Sequence, residues 1–215
     1  MKNLEIYIHI PFCVRKCEYC DFLSFPADDD TKLRYVKGLM AEMIFYGPLM
    51  KNYQVSSVYI GGGTPSSIDE QWIAALMEGV FDCFNVLPDA EISIECNPGT
   101  LSREKLLAYR DAGINRLSIG LQSANNDELK LLGRIHTFEQ FVTNYEVARN
   151  VGFKNINVDL MYGLPGQSAS QYMATVNKII RLHPDHISAY SLIVEKGTPF
   201  YEKYKFDMVR QEAGM

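Results

Sequence analysis

The fold is decided at the start of the chain, where residues 4–20 read LEIYIHIPFCVRKCEYC. Apolar and polar residues alternate through Leu4–Ile10, which is the pattern of a β-strand with one apolar face and one polar face. Three cysteines, Cys13, Cys17 and Cys20, follow within the next ten residues. A strand that leads directly into closely spaced thiols predicts both an element of a sheet and a site of chemistry.

Short runs rich in β-forming residues alternate with amphipathic runs along the rest of the chain. The predicted strands are Leu4–Ile10, Val55–Ile60, Glu91–Glu95, Asn115–Leu121, Asn155–Met161 and His186–Val194. The predicted helices are about Thr31–Tyr46, Ile68–Phe84, Arg103–Ala112, Phe138–Val151 and Ala169–Leu182. Gly113 and Gly152 each stand between a helix and a strand, where a helix C-terminal glycine belongs. The repeated unit predicts an α/β fold with parallel strands and right-handed crossovers.

The predicted strands have one apolar and one polar face, unlike strands that are covered by helices on both sides. In the fifth strand, Ile156 and Val158 alternate with Asn157 and Asp159. Such strands predict a sheet with helices on one side only, curled around a polar interior. Six strands are too few to close the usual eight-stranded barrel. We therefore expect an open, partial (βα)6 barrel with its helices outside.

Reactive-looking residues gather where the predicted strands end. Glu95, Gln122 and Asp159 each occupy the polar face at the C-terminal end of a strand, and residues 61–63 (GGG) follow the second strand. The C-terminal rim is where catalytic groups collect in βα barrels. Each feature also has a simpler interpretation, since glycines form tight turns and polar side chains inside a barrel are often just hydrogen-bonded.

Composition limits the classes of function. The chain has 215 residues, 47% of them apolar, and a formal net charge of −5. These values predict one large globular domain and argue against a nucleic-acid or anionic-membrane surface. No apolar run reaches the ~20 residues of a membrane span. Polar residues interrupt the N-terminus before any signal peptide can form, so we expect a cytoplasmic protein.

The five cysteines divide into a cluster and two isolated residues. An odd number of cysteines without an export signal disfavours a disulfide framework. The C-x3-C-x2-C cluster offers three thiolates, which suits a 4Fe–4S cluster with one iron left open to another ligand. Structural zinc needs four ligands, and His9 or a distant cysteine would have to be the fourth. Cys83 and Cys96 are predicted to be buried structural thiols.

The cysteine spacing and several further blocks make the family recognisable. The blocks are residues 8–13 (IHIPFC), 61–65 (GGGTP), 120–123 (GLQS), 132–136 (LGRIH) and 159–166 (DLMYGLPG). Together they resemble the oxygen-independent coproporphyrinogen III oxidase-like family of the radical S-adenosylmethionine (SAM) superfamily. The resemblance extends from about residue 4 to residue 201. It implies a partial (βα)6 barrel and a 4Fe–4S cluster held by Cys13, Cys17 and Cys20, with the fourth iron open to SAM.

The resemblance also implies which residues bind the cofactor. The positions that match are Tyr7, Tyr19, Gly62, Gly63, Thr64, Glu95, Gln122, Arg134, Asp159 and Ile193. Their chemistry agrees, because bare glycine backbone allows a close approach and a guanidinium suits the carboxylate of SAM. Carboxylates suit a ribose diol or the cationic groups of SAM. His136 and His183 are expected to be surface or capping residues.

Phe22 distinguishes two branches of this family. The oxidase branch has a further cysteine two residues after the third, whereas Phe22 takes that place here. The C-D-F version resembles the branch of haem chaperones, which implies a protein that binds haem and SAM. One alternative is an active oxidase, a coproporphyrinogen dehydrogenase-type oxidoreductase that decarboxylates two propionates by means of a deoxyadenosyl radical. Another is a zinc-binding scaffold without a redox role.

Partners and domain limits complete what the resemblance implies. The partners are SAM, haem or a porphyrinogen, an electron donor such as a flavodoxin or ferredoxin, and haem-receiving proteins. Nucleic acid is not expected among them. Residues 1–201 would form the radical SAM core, and residues 202–215 would be a tail at the start of a C-terminal domain that this sequence lacks.

Overall fold

The computed structural model describes residues 2–212, with backbone alone for residues 206–212. Its centre is a six-stranded sheet in which every strand pairs in parallel with the next one along the chain. The strands are β1 (Lys2–Ile10), β2 (Tyr53–Gly62), β3 (Val86–Cys96), β4 (Arg116–Gln122), β5 (Asn155–Tyr162) and β6 (His186–Ser191). The order is sequential, so β1 and β6 are the two edges of the sheet.

Helices follow every strand. They are α1 (Asp29–Tyr46), α2 (Glu70–Cys83), α3 (Arg103–Asp111), α4 (Asn126–Leu131), α5 (Phe138–Asn150), α6 (Ala169–Ile180) and α7 (Pro199–Glu212), with short 3-10 turns at 47–50, 65–67 and 98–100. α5 and α6 begin with reciprocal capping boxes, formed by Thr137 with Gln140 and by Ser168 with Gln171. None of the described helices is both long and apolar enough to cross a membrane.

The apolar face of the sheet packs against the helices to form the main core. Ile10, Ile60, Ile94, Ile119 and Val158 come from five consecutive strands, and each is 0% exposed. Burying a side chain of this size stabilises a fold by about 1.5–3 kcal/mol. Because these side chains are buried against the helices, the opposite face of the sheet is the one that polar residues occupy.

The expected partial (βα)6 barrel is confirmed. All six predicted strands and all five predicted helices are present at overlapping positions, and the sheet is parallel and open. Gly113 and Gly152 have φ values of +88° and +106°, the left-handed conformation expected of a glycine that ends a helix.

Four elements differ most from the prediction. β3 begins at Val86, five residues before the predicted Glu91. β6 ends at Ser191 instead of Val194, because the Leu192 N–H makes the last bond to the Tyr162 carbonyl and β5 then turns away at Gly163. α4 has only six residues, too few to show a helical period. α7 was not predicted, and it runs across residue 201.

Candidate functional site at the C-terminal ends of the strands

A cavity of about 400 Å³ opens on the polar face of the sheet, at the C-terminal ends of the strands. Glu95, Gln122 and Asp159 line it from β3, β4 and β5. The three clustered cysteines line it as well. The sheet therefore brings together groups that are far apart in sequence, as the C-terminal rim of a βα barrel does.

The cysteine loop is tied to the end of β1. The Cys13 N–H donates to the Phe25 carbonyl at 3.1 Å, and the Phe25 N–H donates to the Pro11 carbonyl at 2.9 Å. Cys13 Sγ lies 3.5 Å from Thr64 Oγ1, which follows β2. Burial raises the pKa of the Cys20 thiol. A thiol in this state becomes a thiolate readily only when a metal or cationic group compensates the charge.

Arg134 connects the cysteine loop to β4. Its Nη2 donates to the Gly120 carbonyl at 2.6 Å, and its Nη1 lies 3.6 Å from Cys17 Sγ. Burial opposes the charge of the guanidinium, but Tyr19 and Cys17 raise its pKa above the usual value. Within residues 2–212, Arg134 Nε is a buried donor without a hydrogen-bond partner. A cationic donor left open beside a cavity is suited to an anionic ligand.

The backbone before Arg134 holds the cysteine loop in place. The Glu18 N–H donates to the Leu132 carbonyl at 3.2 Å, and Arg15 Nη2 donates to the Gly133 carbonyl at 2.7 Å. Gly133 has φ +73°, a conformation that favours glycine. These contacts account for residues 132–134 physically: they fix the loop and aim the guanidinium.

Glu95 is held by β2. Its Oε1 accepts from the Tyr59 hydroxyl at 2.8 Å, and its Oε2 accepts from the Gly62 N–H at 3.1 Å. Burial raises the pKa of the Glu95 carboxyl despite these two donors. A Cβ on Gly62 would lie 2.7 Å from His9 Cε1, and one on Gly63 would lie 3.0 Å from Cys13 Sγ. Gly63 therefore allows the backbone to lie close to the Cys13 thiol, and Gly62 allows it to lie close to the His9 ring.

Asp159 and Gln122 complete the polar floor. Asp159 accepts from Asn157 Nδ2 at 2.7 Å and from Ser118 Oγ at 3.2 Å, and burial raises the pKa of its carboxyl. Gln122 has φ +73° beside an irregularity in the β4–β5 register, and its Oε1 accepts from the Tyr190 hydroxyl at 2.9 Å. Burial raises the pKa of Tyr190 to about 12. Gln122 lines the cavity together with Arg116 and Ser118 of the same strand.

The predicted cofactor positions divide into two groups. Eight of them line the cavity: Tyr19, Gly62, Gly63, Thr64, Glu95, Gln122, Arg134 and Asp159. Tyr7 and Ile193 are not among its lining residues, and they are 58% and 65% exposed. The Tyr7 ring stacks on the Tyr59 ring at 6.2 Å between centroids. Ile193 lies beyond the end of β6, so its expected place on the sixth strand is wrong.

The expectation for His136 is also wrong. This residue is buried, with Nδ1 3.2 Å from Asn97 Oδ1 and Nε2 3.2 Å from the Leu121 carbonyl. Burial and the nearby Arg134 lower its pKa to about 3, so the imidazole is neutral.

The two isolated cysteines, both predicted to be buried, differ in the structure. Cys83 is only half-buried, whereas Cys96 is buried and lines the cavity.

Several lining residues were missed as site residues, although some had a signal. Ser118 and Asn157 follow the period-two polar face of β4 and β5, which could have identified them. Tyr59 and Tyr190 had no such signal, because an aromatic residue in a strand is equally typical of a core.

The geometry of His9 bears on the zinc alternative. Its Nδ1 lies 2.9 Å from the Tyr7 hydroxyl and its Nε2 lies 3.3 Å from the Leu23 carbonyl, so both ring nitrogens are hydrogen-bonded. His9 is not a lining residue of the cavity that contains the three cysteines. Among residues 2–205, whose side chains the structure describes, no group of three or more His, Cys, Asp or Glu, the three cysteines included, is drawn together as a preformed metal site. The choice between zinc and an iron–sulfur cluster therefore depends on the number and type of donors at the cavity.

Comparisons with known proteins agree with this geometry. The family model described as the Radical SAM superfamily matches residues 7–179. The chain belongs to the Radical SAM superfamily. A solved Radical SAM structure, coproporphyrinogen III oxidase (HemN) from Escherichia coli, covers 95% of this chain with a TM-score of 0.84 and 29% identity. The match covers 52% of that protein.

Two curated relatives are more similar in sequence than this solved structure. The chain is 40% identical over 196 residues to "Heme chaperone HemW" of Bacillus subtilis (strain 168), covering 91% of this chain and 52% of the relative. It is 39% identical over 203 residues to "Heme chaperone HemW" of Escherichia coli (strain K12), and this match covers 92% of this chain and 52% of the relative. The chain thus spans about half the length of the curated relatives it matches.

The residues of this Radical SAM chain fit a 4Fe–4S cluster and SAM. Three cysteine thiolates bind three of the four iron atoms of such a cluster, which leaves the fourth iron free to accept a further ligand. Three cysteines border one cavity, glycine backbone lies where a Cβ would crowd Cys13 Sγ, and the buried Arg134 Nε has an open donor among the described residues. Thiolates, bare backbone and an open guanidinium are the donor set that an iron–sulfur cluster with an amino-acid ligand requires.

Proposed function

We propose that the chain is the cluster- and SAM-binding core of a cytoplasmic haem chaperone. The observation that carries the proposal is Phe22, which stands 71% exposed at the cavity where the oxidase branch would place a further thiol. The higher identity to two heme chaperones, 40% and 39%, than to the solved oxidase, 29%, supports the same choice. The proposed core comprises residues 1–201.

In this proposal Cys13, Cys17 and Cys20 hold the 4Fe–4S cluster. A cluster of this kind supplies one-electron chemistry to SAM bound at its open iron. Thr64 Oγ1, 3.5 Å from Cys13 Sγ, and Arg134 Nη1, 3.6 Å from Cys17 Sγ, place hydrogen-bond donors beside two of the thiolates. Such donors stabilise thiolate charge that burial otherwise opposes. An electron carrier of the flavodoxin or ferredoxin class would reduce the cluster.

The cavity supplies groups for each polar part of SAM. Arg134 supplies the donor for the methionine carboxylate, because its guanidinium is cationic, lines the cavity and has one nitrogen, Nε, without a hydrogen-bond partner among the described residues. Glu95, held by Tyr59 and Gly62, is the acceptor for the ammonium group. Gln122 and Asp159, which line the cavity from β4 and β5, are suited to the ribose hydroxyls. Binding a cationic ligand would also offset the desolvation that raises the carboxyl pKa values.

Haem is the proposed cargo, and haem-receiving proteins are the proposed partners. The alternative is an active oxidase, which the likeness to the solved coproporphyrinogen III oxidase supports at a TM-score of 0.84. The two functions differ in a simple way. A chaperone binds haem and leaves coproporphyrinogen unchanged, whereas an oxidase converts two propionates of coproporphyrinogen III to vinyl groups.

The test uses the whole chain, reconstituted with iron and sulfide under strict anaerobiosis. Haem is titrated and followed by its Soret absorption, and coproporphyrinogen III is incubated separately with SAM and a reductant. We expect stoichiometric haem binding and no divinyl product. Product formed in multiple turnovers would replace the chaperone with the oxidase, and absence of both haem binding and product would remove both.

A further inference from the structure

A second, separate groove of about 470 Å³ lies beside the end of β1, between α1 and the loop after the cysteines. We call it the β1–α1 groove. Its apolar walls include Phe12, Leu23, Phe25 and Tyr35, and its polar residues include His9 and Arg34. The volume is within the ~300–1,000 Å³ typical of ligand pockets. None of the cysteines and none of the other proposed cluster or SAM residues lines it.

The groove has packed aromatic walls and an exposed apolar rim. The Phe12 ring packs edge-on against the rings of Phe25 and Tyr35, at 5.7 and 5.3 Å between centroids. The Tyr35 hydroxyl donates to the His9 carbonyl at 2.8 Å, which ties α1 to β1. Leu23 and Phe25 are nevertheless 77% and 47% exposed. Contiguous exposed apolar side chains beside a preformed groove are typical of a binding site.

His9 gives the groove a potential metal ligand. Its Nε2 lies 3.3 Å from the carbonyl of Leu23, which lines the groove, and its Nδ1 lies 2.9 Å from the Tyr7 hydroxyl. A histidine that ligates a metal through one nitrogen has its other nitrogen hydrogen-bonded. The bond from Nε2 to Leu23 is long and belongs to an exposed loop residue, so it is the weaker of the two.

The three other histidines are placed differently. His136 is buried and does not line the β1–α1 groove. His183 is exposed and follows α6, and His186 Nδ1 lies 2.6 Å from Asn157 Oδ1. Neither His183 nor His186 lines the β1–α1 groove. His9 is thus the histidine of the chain that combines an apolar groove with an orienting partner.

We propose that the β1–α1 groove seats the haem cargo, with His9 Nε2 as an axial ligand of the iron. Histidine is a common axial ligand of haem, and apolar walls suit the porphyrin ring. Arg34 would pair with a propionate, because its present partner, Asp30, is a surface ion pair of little energy. This inference rests on the proposed chaperone function.

Iron binding would change the tautomer of His9 in a defined way. The lone pair of Nε2 must face the iron, so the ring proton must be on Nδ1 and donate to the Tyr7 oxygen. The Leu23 carbonyl would turn to water, which its exposed position allows. A Cβ on Gly62 would lie 2.7 Å from His9 Cε1, so the His9 ring lies against a residue that lines the proposed SAM cavity.

The experiment is a haem titration of the whole reconstituted chain, followed by Soret absorption and EPR. We expect His9→Ala and Leu23→Glu to weaken haem binding by at least about tenfold, since even outer partners of a metal ligand contribute 10–100-fold. His9→Ala should also lose the spectrum of a histidine-ligated iron and regain it with added imidazole. His183→Ala is the matched control and should bind haem as the unchanged chain does.

The outcomes separate the two proposals. If the unchanged chain does not bind haem, the chaperone function fails and this inference fails with it. If the unchanged chain binds haem but His9→Ala gives the same affinity and spectrum, the function stands and the groove proposal is overturned. Should His9→Ala fold poorly, Leu23→Glu and Arg34→Gln decide, because both change exposed side chains of the groove. Unchanged haem binding in both would overturn the proposal.

Discussion

The two faces of the sheet have opposite chemistry although their residues are neighbours in sequence. Ile94 and Ile119 face the helices and are 0% exposed, while Glu95 and Ser118, one residue away, face the polar side. Successive side chains of a strand point to opposite faces, so one residue step separates the two environments. The comparison shows how one set of strands supplies both the stability of the fold and its site.

The faces also differ in what burial does. On the helix side, burial removes apolar surface from water and stabilises the fold. On the cavity side, burial raises the pKa values of the Glu95 and Asp159 carboxyls, because their charged forms lose hydration. Hydrogen bonds from Tyr59, Gly62, Ser118 and Asn157 offset part of that cost. The cavity is thus pre-arranged for a ligand at the expense of stability.

The largest expected effect is at the cysteine loop. Replacing Cys13, Cys17 or Cys20 by Ser should abolish the 4Fe–4S cluster, because each thiolate is a required ligand. Iron and sulfide content and visible absorption after anaerobic reconstitution measure the loss. Cys83→Ser, at the end of α2, is the control and should retain the full cluster. A single Ser variant with a normal iron content would refute the ligand assignment.

Next in size is the contrast between two adjacent residues of β4. Ile119→Ala should lower the free energy of unfolding by about 2–5 kcal/mol, because it leaves a cavity in the core. Ser118→Ala leaves no comparable cavity but removes two hydrogen bonds, one donated to Asp159 and one accepted from Asn157 Nδ2, and should cost less, about 1–3 kcal/mol. Urea unfolding of the two variants measures both values. Equal losses of unfolding free energy in the two variants would contradict the claim that the apolar face supplies most of the stability.

A smaller effect is expected for Arg134. Arg134→Gln removes the charged donor proposed for the SAM carboxylate, and loss of about 1.5–3 kcal/mol corresponds to roughly 10–100-fold weaker SAM binding. Equilibrium binding of SAM to the reconstituted protein gives the value. Arg103→Gln, on the exposed start of α3, controls for the loss of one positive charge. Unchanged SAM affinity in Arg134→Gln would remove this residue from the site.

The smallest effect concerns pH. The folded-state pKa of Glu95 is raised by burial, so the folded protein retains this proton at pH values where the unfolded chain has lost it. Stability should therefore fall as pH rises from about 4.5 through the raised pKa. Glu95→Gln should flatten that decline, measured by urea unfolding at several pH values, with the exposed Glu91→Gln as the control for charge removal. An unchanged slope in Glu95→Gln would contradict the assigned burial effect.

Strand periodicity explains why so much of this fold could be predicted from the sequence. Alternation along β1, β4 and β5 identified the buried face, and with it the rim where Glu95, Gln122 and Asp159 meet. Such alternation is a local property, set by the pleat of each strand. The polar face and the cysteine spacing therefore predict the position of the cavity from the sequence alone.

What could not be predicted depends on contacts between distant segments. His136 is buried because Asn97 and the Leu121 carbonyl, both remote in sequence, satisfy its ring. β6 ends early because its neighbour β5 turns away, which no pattern within β6 reveals. The roles of Tyr59 and Tyr190 likewise depend on the carboxyl and amide groups they meet across strands.

EPR of the anaerobically reconstituted and reduced protein, recorded with and without SAM, tests the central claim most directly. That claim is that three thiols and one polar cavity hold a 4Fe–4S cluster with an iron open to SAM. We predict a reduced-cluster signal whose shape changes when SAM is added. In Arg134→Gln the same addition of SAM should leave the signal unchanged. Absence of a cluster, or a signal indifferent to SAM, would contradict the account.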